Sequence, residues 1–365
     1  MRRTRIWRGI NYPSYTRILI NNKLKIIKNM KKPTLEQIAI ECGVTKGLVS
    51  RALGGKNNVS DATREKIIRK ATELGYDTSK LKVHKVASNR VLLIGSSRIL
   101  FKEDFWQPII TAISSTLSRS NLIVEYFAFE EDKIDDGLLK KLKESSVSAF
   151  IIIHVAPKQI IDVLVGKGKP IVIVDPKTFH SEATQFKFSN YDSTYLAVQR
   201  LIQQGHTNIA FYGSDSHSLS FRERHEGYMA AMENHKKEVN KPCSIIFNND
   251  KKNYADEQML IDALSKQDID AIVCANDIIA LNAIKTINRL GKKVPEDISV
   301  IGFDNIRTGD FMTPRLSTFN IPRQEIGEEV AKYVANSIKS HQIPYSQIVI
   351  RCDFIERESN IEVKK

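Results

Sequence analysis

TLEQIAIECGVTKGLVSRALGG, residues 34–55, decides how the whole chain is read. Thr34 is followed three residues later by Gln37, the spacing at which two side chains satisfy each other's backbone amides at a helix start. Leu35, Ile38, Ala39 and Cys42 then fall at i, i+3, i+4 and i+7, one apolar face. Gly43 stops that helix, as glycine does just past a C-terminus. Only Val44 intervenes before a second cap, Thr45, and Lys46–Leu53 offers Leu48, Val49, Ala52 and Leu53 for packing. Two short helices across a glycine-containing turn of three or four residues make a helix-turn-helix. A third helix comes next, capped by Ser60, striped by Ile67, Ile68, Ala71 and Leu74, and ended by Gly75.

Charge separates this head from the rest of the chain. Residues 1–90 carry 21 Lys+Arg against 6 Asp+Glu, whereas the remaining 275 residues carry 34 against 36. All the excess positive charge of a chain with net charge +13 therefore lies in its first quarter, a basic head suited to a polyanion joined to a near-neutral body. No apolar run reaches the ~18 residues of a membrane helix. The four scattered cysteines, Cys42, Cys243, Cys274 and Cys352, lack metal or redox spacing and fit buried thiols in a reducing cytoplasm. Residues 1–31 are basic but too broken by polar residues for a signal-peptide core. They are read as a disordered extension or a start-site artefact, since Met30 opens a plausible protein at MKKPTL.

From Pro33 to Tyr76 the order of T-x-x-x-I-A, G-V-T-x-x-x-V-S-R-x-L, V-S-x-x-T-R-E-K-I and E-L-G-Y resembles the DNA-binding head of the LacI/GalR family of bacterial transcription regulators. The resemblance implies a DNA-binding domain over residues 32–76, with Thr45, Lys46, Gly47, Ser50 and Arg51 on a recognition helix in the major groove. Arg51 is the expected bidentate partner of a guanine, and Lys46 reaches a base edge or phosphate. Thr34 and the backbone near Leu35 are placed at phosphates, and Lys56 is a further expected DNA contact. Where the family usually has asparagine after the helix this chain has Gly54, and Gly47 offers no side chain where the family usually reads a base.

Residues 77–90, DTSKLKVHKVASNR, form the expected linker. In the family this segment is a hinge helix whose leucine wedges into the minor groove. Here lysines alternate with Leu81, Val83 and Val86, a pattern that suits an extended strand as well as a helix. Leu81 and Lys85 are its expected DNA contacts.

Beyond Val91, apolar runs (VLLIG, NLIVEYFAF, AFIIIHV, PIVIVD, NIAFYG, SIIFN, AIVCAN, ISVIGF) alternate with helical patterns such as 107–117, 134–143, 193–204, 222–234 and 278–290. That alternation predicts parallel sheets covered on both faces, and its length predicts two α/β lobes with a cleft outside the strand ends. Motifs from QQGHTNIAF (203–211) to PRLST (314–318) resemble the family's effector domain, similar to periplasmic sugar-binding proteins, so the resemblance spans about residues 32–358. The fold class is thus a small all-α head on a two-lobed periplasmic-binding-protein-like body at 91–358, with 359–365 as a tail.

Polyols need planar hydrogen-bonding partners and an aromatic face. Arg222, Asn276, Asp304, Trp106 and Phe105 match ligand-contacting positions of the family, with Phe303 as a weaker candidate and Asn190 replacing a contact in FSN, where the family often has V-D-N. Asp304 also reads as a helix cap and Phe303 as core. The expected partners are a pseudo-palindromic double-stranded operator, a second copy of the chain and a small effector, a sugar by the resemblance, with a nucleobase, nucleoside or protein co-effector as alternatives. A solute-binding protein without DNA binding is the reading from another class. Enzyme signatures fail: His225-Glu226 has Met229 where a metal-binding helix needs a second histidine, VGKGKP (165–170) lacks the phosphate-loop spacing, and no G-x-S-x-G occurs. No catalytic residue, metal or cofactor is therefore expected.

Overall fold

The computed structural model describes residues 33–54, 59–76, 89–101, 105–130, 133–155, 157–214, 218–247, 256–340 and 345–363. The chain divides into two compact units, residues 1–87 and 88–365.

In the first unit, helices α1 (Leu35–Cys42), α2 (Lys46–Leu53) and α3 (Asp61–Glu73) form for the reasons legible in the sequence. The Thr34 hydroxyl accepts from the Gln37 amide at 3.3 Å, and the Thr34 amide donates to Gln37 Oε1 at 2.9 Å, closing the capping box. Gly43 leaves α1 at φ +67°, a turn that a Cβ would strain. Thr45 and Ser60 cap α2 and α3 through the Leu48 and Thr63 amides. Ile38, Ala39, Cys42, Val49, Ala52, Leu53, Val59, Ile67 and Ala71 close into one core. Arg64 Nη1 donates to the Ala52 carbonyl at 3.1 Å, tying α3 to the end of α2.

Among its described residues the second unit holds two six-stranded sheets. One runs β11-β5-β4-β3-β1-β2, comprising β1 (Arg90–Ser96), β2 (Ile123–Phe129), β3 (Ala149–Ile153), β4 (Ile171–Val174), β5 (Thr184–Phe188) and β11 (Gln347–Ile350). The other runs β12-β10-β9-β8-β6-β7, comprising β6 (Ile209–Gly213), β7 (Cys243–Ile246), β8 (Ala271–Cys274), β9 (Ser299–Asp304), β10 (Ser317–Asn320) and β12 (Asp353–Ile355). Every pairing is parallel except β10 with β12. Central strands such as AFIII and IVIV are buried along their whole length, as a parallel sheet covered on both faces requires. Each such side chain taken from water contributes roughly 1.5–3 kcal/mol.

The covering helices are α4 (Ser97–Phe101), α5 (Gln107–Arg119), α6 (Asp136–Glu144), α7 (Lys158–Val165), α8 (Asn190–Gln203), α9 (Leu219–Asn234), α10 (Glu257–Lys266), α11 (Asp277–Arg289) and α12 (Arg323–Ser340). The chain passes between the sheets three times, after β5, after β10 and after β11. Consequently α12, though it follows β10 of the second lobe, packs along α5 of the first. The strands β5, β10, β11 and β12, three to five residues each and mixed in polarity, were not among the runs read from the sequence. They are the segments next to the crossings.

One boundary moves. The body extends past residue 358: Ser359 and Asn360 are buried, and Ser359 bonds through both its hydroxyl and its carbonyl to Val300. The Ile361 carbonyl is held 3.1 Å from His206 Nε2. Polar SNI reads as a tail in isolation, and only the sheet edge it covers makes it part of the core.

Candidate functional site

On the head, α2 buries Val49, Ala52 and Leu53 and leaves Lys46, Gly47, Ser50 and Arg51 exposed, with the capping Thr45 beside them. Positions 46 and 50, and 47, 50 and 51, are helical neighbours, so these residues form one stripe. A Cβ on Gly47 would meet nothing within 4 Å, so no packing demands glycine there. Lys46 Nζ lies 3.0 Å from Glu36 Oε2 on α1, an exposed pair that polyanion binding can exchange for a phosphate. Thr34 is exposed at the start of α1, whereas the Leu35 side chain packs partly against the core and leaves only its backbone for a phosphate. Lys56, Leu81 and Lys85, with the extension 1–31, lie outside the described residues.

In the body, the carboxyl ends of strands from both lobes converge, the position where α/β sheets bind ligands. His154 follows β3, Asp175 follows β4, Asn190 follows β5, Asn276 follows β8 and Asp304 ends β9. Backbone strain gathers here. His154 (φ 61°), Asp175 (φ 48°), Asp304 (φ 113°) and Asn305 (φ 54°) all occupy the left-handed region without being glycine. Such conformations cost on the order of 1–3 kcal/mol each and cluster where function needs a side chain held in place.

Arg224 is the centre of the cluster. Its Nε donates to Asn190 Oδ1 at 3.0 Å, its Nη1 donates to the Ala275 carbonyl at 2.5 Å and stands 3.3 Å from Asp304 Oδ1, and its guanidinium lies 3.7 Å above the Phe303 ring. Burial pushes the Asp304 carboxyl up to about 6, although Arg224 and Arg323 pull it down. Beside it, fully buried Asp277 accepts from Thr318 Oγ1 at 2.6 Å and from the Ile306 amide at 2.8 Å. Burial first, then the Asp304 charge, pushes its carboxyl up to about 8. Asp175 behaves oppositely. Burial alone would raise it, but hydrogen bonds from His154 and Ser220, with the Arg224 charge, hold it below the usual carboxylate value. His154 Nδ1 is 3.3 Å from its carboxylate, and the Ser220 hydroxyl bonds it from the other lobe.

The structure brings Asn190, Asn276, Asp304, Phe303, Trp106 and Phe105 to this region, each with a defined task. Asn276 Oδ1 caps α11 by accepting from the Ile279 amide at 2.9 Å. Phe303 is buried, stacks on Phe319 and serves as the platform under Arg224. Buried Trp106 packs against the His154 ring at 5.5 Å, and half-buried Phe105 meets it edge-on at 4.8 Å. Phe105 also lies 5.6 Å beneath the Arg323 guanidinium.

Arg222 is not brought there. It is exposed, and Arg224 occupies the place expected of it. Two residues on a helix differ by about 200°, so 222 and 224 face opposite ways. The signal was in the sequence: Ser220, Arg224, Gly227, Tyr228 and Ala231 follow i, i+4, i+7, i+8, i+11 and form the buried stripe of α9. Asp175, His154 and Ser220 were also missed: Asp175 and His154 carry no motif, Ser220 opens the matched stretch SFRERHEGY (220–228) without being singled out, and only the approach of the two lobes joins them. Among the described residues no three His, Cys, Asp or Glu side chains are grouped to hold a metal.

Comparisons with known proteins agree with this division. A family of bacterial regulatory proteins, the lacI family, matches residues 34–79, and a periplasmic binding protein-like domain matches residues 198–360. The chain is similar to the NTD biosynthesis operon regulator NtdR of Bacillus subtilis (strain 168), 28% identical over 314 residues, covering 85% of this chain and 94% of that protein. It is similar to the HTH-type transcriptional regulator CelR of Thermobifida fusca, 26% identical over 348 residues, covering 91% of this chain and 100% of that one. Among solved structures, a transcriptional regulator CelR–cellobiose complex has a TM-score of 0.64 at 26% identity, covering 90% of this chain and 100% of that one.

Proposed function

We infer that this chain, a member of the lacI family of bacterial regulatory proteins, is a sequence-specific transcription regulator whose operator binding is controlled by a sugar held between the two lobes of its body. The observation that carries the reading is the joining, in one chain, of an exposed basic helical stripe at Thr45–Arg51 to a body whose lobes converge on Arg224, Asp304 and Asn190. A helix with Arg and Lys exposed and its apolar face buried is built to enter a major groove. A cluster of planar amide, guanidinium and carboxylate groups beside Trp106 and Phe105 is built to bind hydroxyl-bearing rings.

The chain acts as a homodimer on a pseudo-palindromic operator, one head to each half-site, and represses genes of carbohydrate uptake or catabolism. It binds rather than catalyses, and works in the cytoplasm with the DNA; no described helix is long and apolar enough to cross a membrane. Thr34 and the Leu35 backbone contact phosphates. Lys46, Ser50 and Arg51 face the bases, Lys56 and Lys85 extend the contact along the phosphates, and Leu81 adds an apolar contact from the linker. Arg224 takes the effector role beside Asp304 and Asn276. Effector binding shifts the balance between two lobe arrangements, which requires tighter binding to one than to the other.

Gel shifts on the promoter beside the protein's own gene test the first half. Arg51→Ala should weaken binding by about 1–3 kcal/mol, the worth of a bidentate base contact, and undiminished binding would sink the base-reading role. Calorimetry against sugars and purines, with Arg224→Ala and Asp304→Ala, tests the second half. A sugar bound equally well by all three proteins would place the effector elsewhere.

A further inference from the structure

Helix α9 sends two consecutive side chains in different directions. Arg224 reaches into the cleft, while Glu223 pairs with Lys187 of β5, in the sheet of the other lobe. Lys187 is the one residue of β5 that is not fully buried, and its side chain is only 16% exposed, that of Glu223 17%. An ammonium set between Phe186 and Phe188 needs a partner, because a desolvated charge left alone is costly. Between the two consecutive residues stands Asn190, almost wholly buried. Its Oδ1 accepts from Arg224 Nε at 3.0 Å, and its Nδ2 donates to Glu223 Oε2 at 3.0 Å. An amide has one accepting end and one donating end. Arg224, which only donates, and Glu223, which only accepts, together clamp the orientation of the Asn190 amide. With the carboxylate gone, half of that clamp is lost, and the amide can turn away and leave the guanidinium Nε–H unpaired.

We propose that Lys187 and Glu223 are positioning residues for the effector cleft: their ion pair spans the two lobes, orients the Asn190 amide, and thereby holds Arg224 against Asp304. The proposal rests on the cleft being the effector site and names the groups that set its geometry. It also places an interlobe bond next to the first crossing of the chain, so lobe movement and the aim of Arg224 are one event. A sugar that displaces Arg224 loosens the bond, and a loosened bond frees Arg224.

The test uses the unliganded full chain and the variants Lys187→Met, Glu223→Gln, Lys187→Met/Glu223→Gln and Lys187→Arg. The first readout is amide hydrogen exchange of segments 184–192 and 219–228. The second is the pH profile of the melting temperature, compared with that of Asp304→Asn to isolate the Asp304 step. Asp304 is faced by Arg224, Arg323, Asp175 and Asp277, and losing Arg224 moves its titration upward. Lys187→Met and Glu223→Gln should each speed exchange several-fold in both segments and move the Asp304 step to higher pH. The double variant should be no worse than the worse single one, and Lys187→Arg should behave as the parent. Faster exchange confined to the substituted segment, additive effects in the double variant, or an unmoved Asp304 step would overturn the proposal. Lys187→Arg and Glu223→Gln carry the test if Lys187→Met does not fold. Cellobiose binding is measured separately, so absence of sugar binding would count against the cleft reading and leave the network readouts standing.

Discussion

Replacing Asp277 by Asn should stabilise the unliganded protein, and by an amount that grows with pH. Asp277 is fully buried, and its carboxyl is pushed up to about 8 against 3.8 in the open chain, by burial first and by the Asp304 charge second. Thr318, the Ile306 amide and Arg224 oppose that shift without reversing it. The folded protein thus keeps a proton that the unfolded chain releases, so the stability tied to this group is highest below pH 3.8 and is lost as pH rises toward 8. Each pH unit in that window costs about 1.4 kcal/mol. Between pH 6 and pH 8, allowing for half-ionisation at the upper end, the loss comes to about 2.5 kcal/mol. Asparagine keeps the shape, its oxygen accepting from the Ile306 amide and its amide donating to Thr318 Oγ1 once that hydroxyl turns, but it binds no proton. For a body of about 280 residues, an unfolding entropy near 2.1 cal/mol/K per residue makes 2.5 kcal/mol worth about 4 °C. Melting curves of parent and Asp277→Asn at equal protein concentration should therefore diverge by about 4 °C more at pH 8 than at pH 6. A difference that stays level, or shrinks, across that range would mean that Asp277 is ionised in the folded protein and that the buried acid pair is read wrongly.

Three further outcomes are expected. Gly47→Ala meets open space in α2, so it should stabilise the head by about 0.5–1 kcal/mol, seen as a higher melting temperature for that unit; a loss of stability would mean that the glycine has a packing role. Gly227→Ala drives a Cβ into the Tyr191 carbonyl oxygen where α9 crosses α8, so it should cost about 3 kcal/mol or more by overpacking, measured by denaturant unfolding. Ending the chain at residue 358 removes the bonds of Ser359 to Val300 and Ser317, of Ile361 to Ser299 and His206, and of Val363 to Gln204. At about 1 kcal/mol net per bond, that truncation should cost several kcal/mol, and an unchanged melting temperature would return these residues to the status of a tail.

How much of this was legible depended on the range of the forces involved. Thr34 with Gln37, Thr45 and Ser60 announced their helices because a cap acts within one turn, and the structure reproduces each one. Central strands such as AFIIIHV and PIVIVD were visible because burial on both faces leaves an uninterrupted apolar run. The short strands β5, β10, β11 and β12 were not: β11 and β12 are half-covered sheet edges that tolerate mixed polarity, and the interior strands β5 and β10 bury polar Thr184, Gln185, Ser317 and Thr318, which break the apolar run. The arginine of α9 shows the finer limit: the motif reading chose 222, whereas helical phase, available in the sequence but not applied, points to the buried 224.

What the sequence determined by itself was local or summed: three capped helices, a basic head, a β-α alternation, and the residue types gathered at strand ends. Only the tertiary structure decided which of those residues meet. Asp175 with Ser220, Lys187 with Glu223, and Arg224 with Asn190 and Asp304 lie 34 to 80 positions apart, and Ser359 closes onto Val300 from the far end of the chain. Their pairing is set by three chain crossings between two sheets, and so are their altered acidities. Burial among specific neighbours belongs to the folded lobes and to no window of sequence.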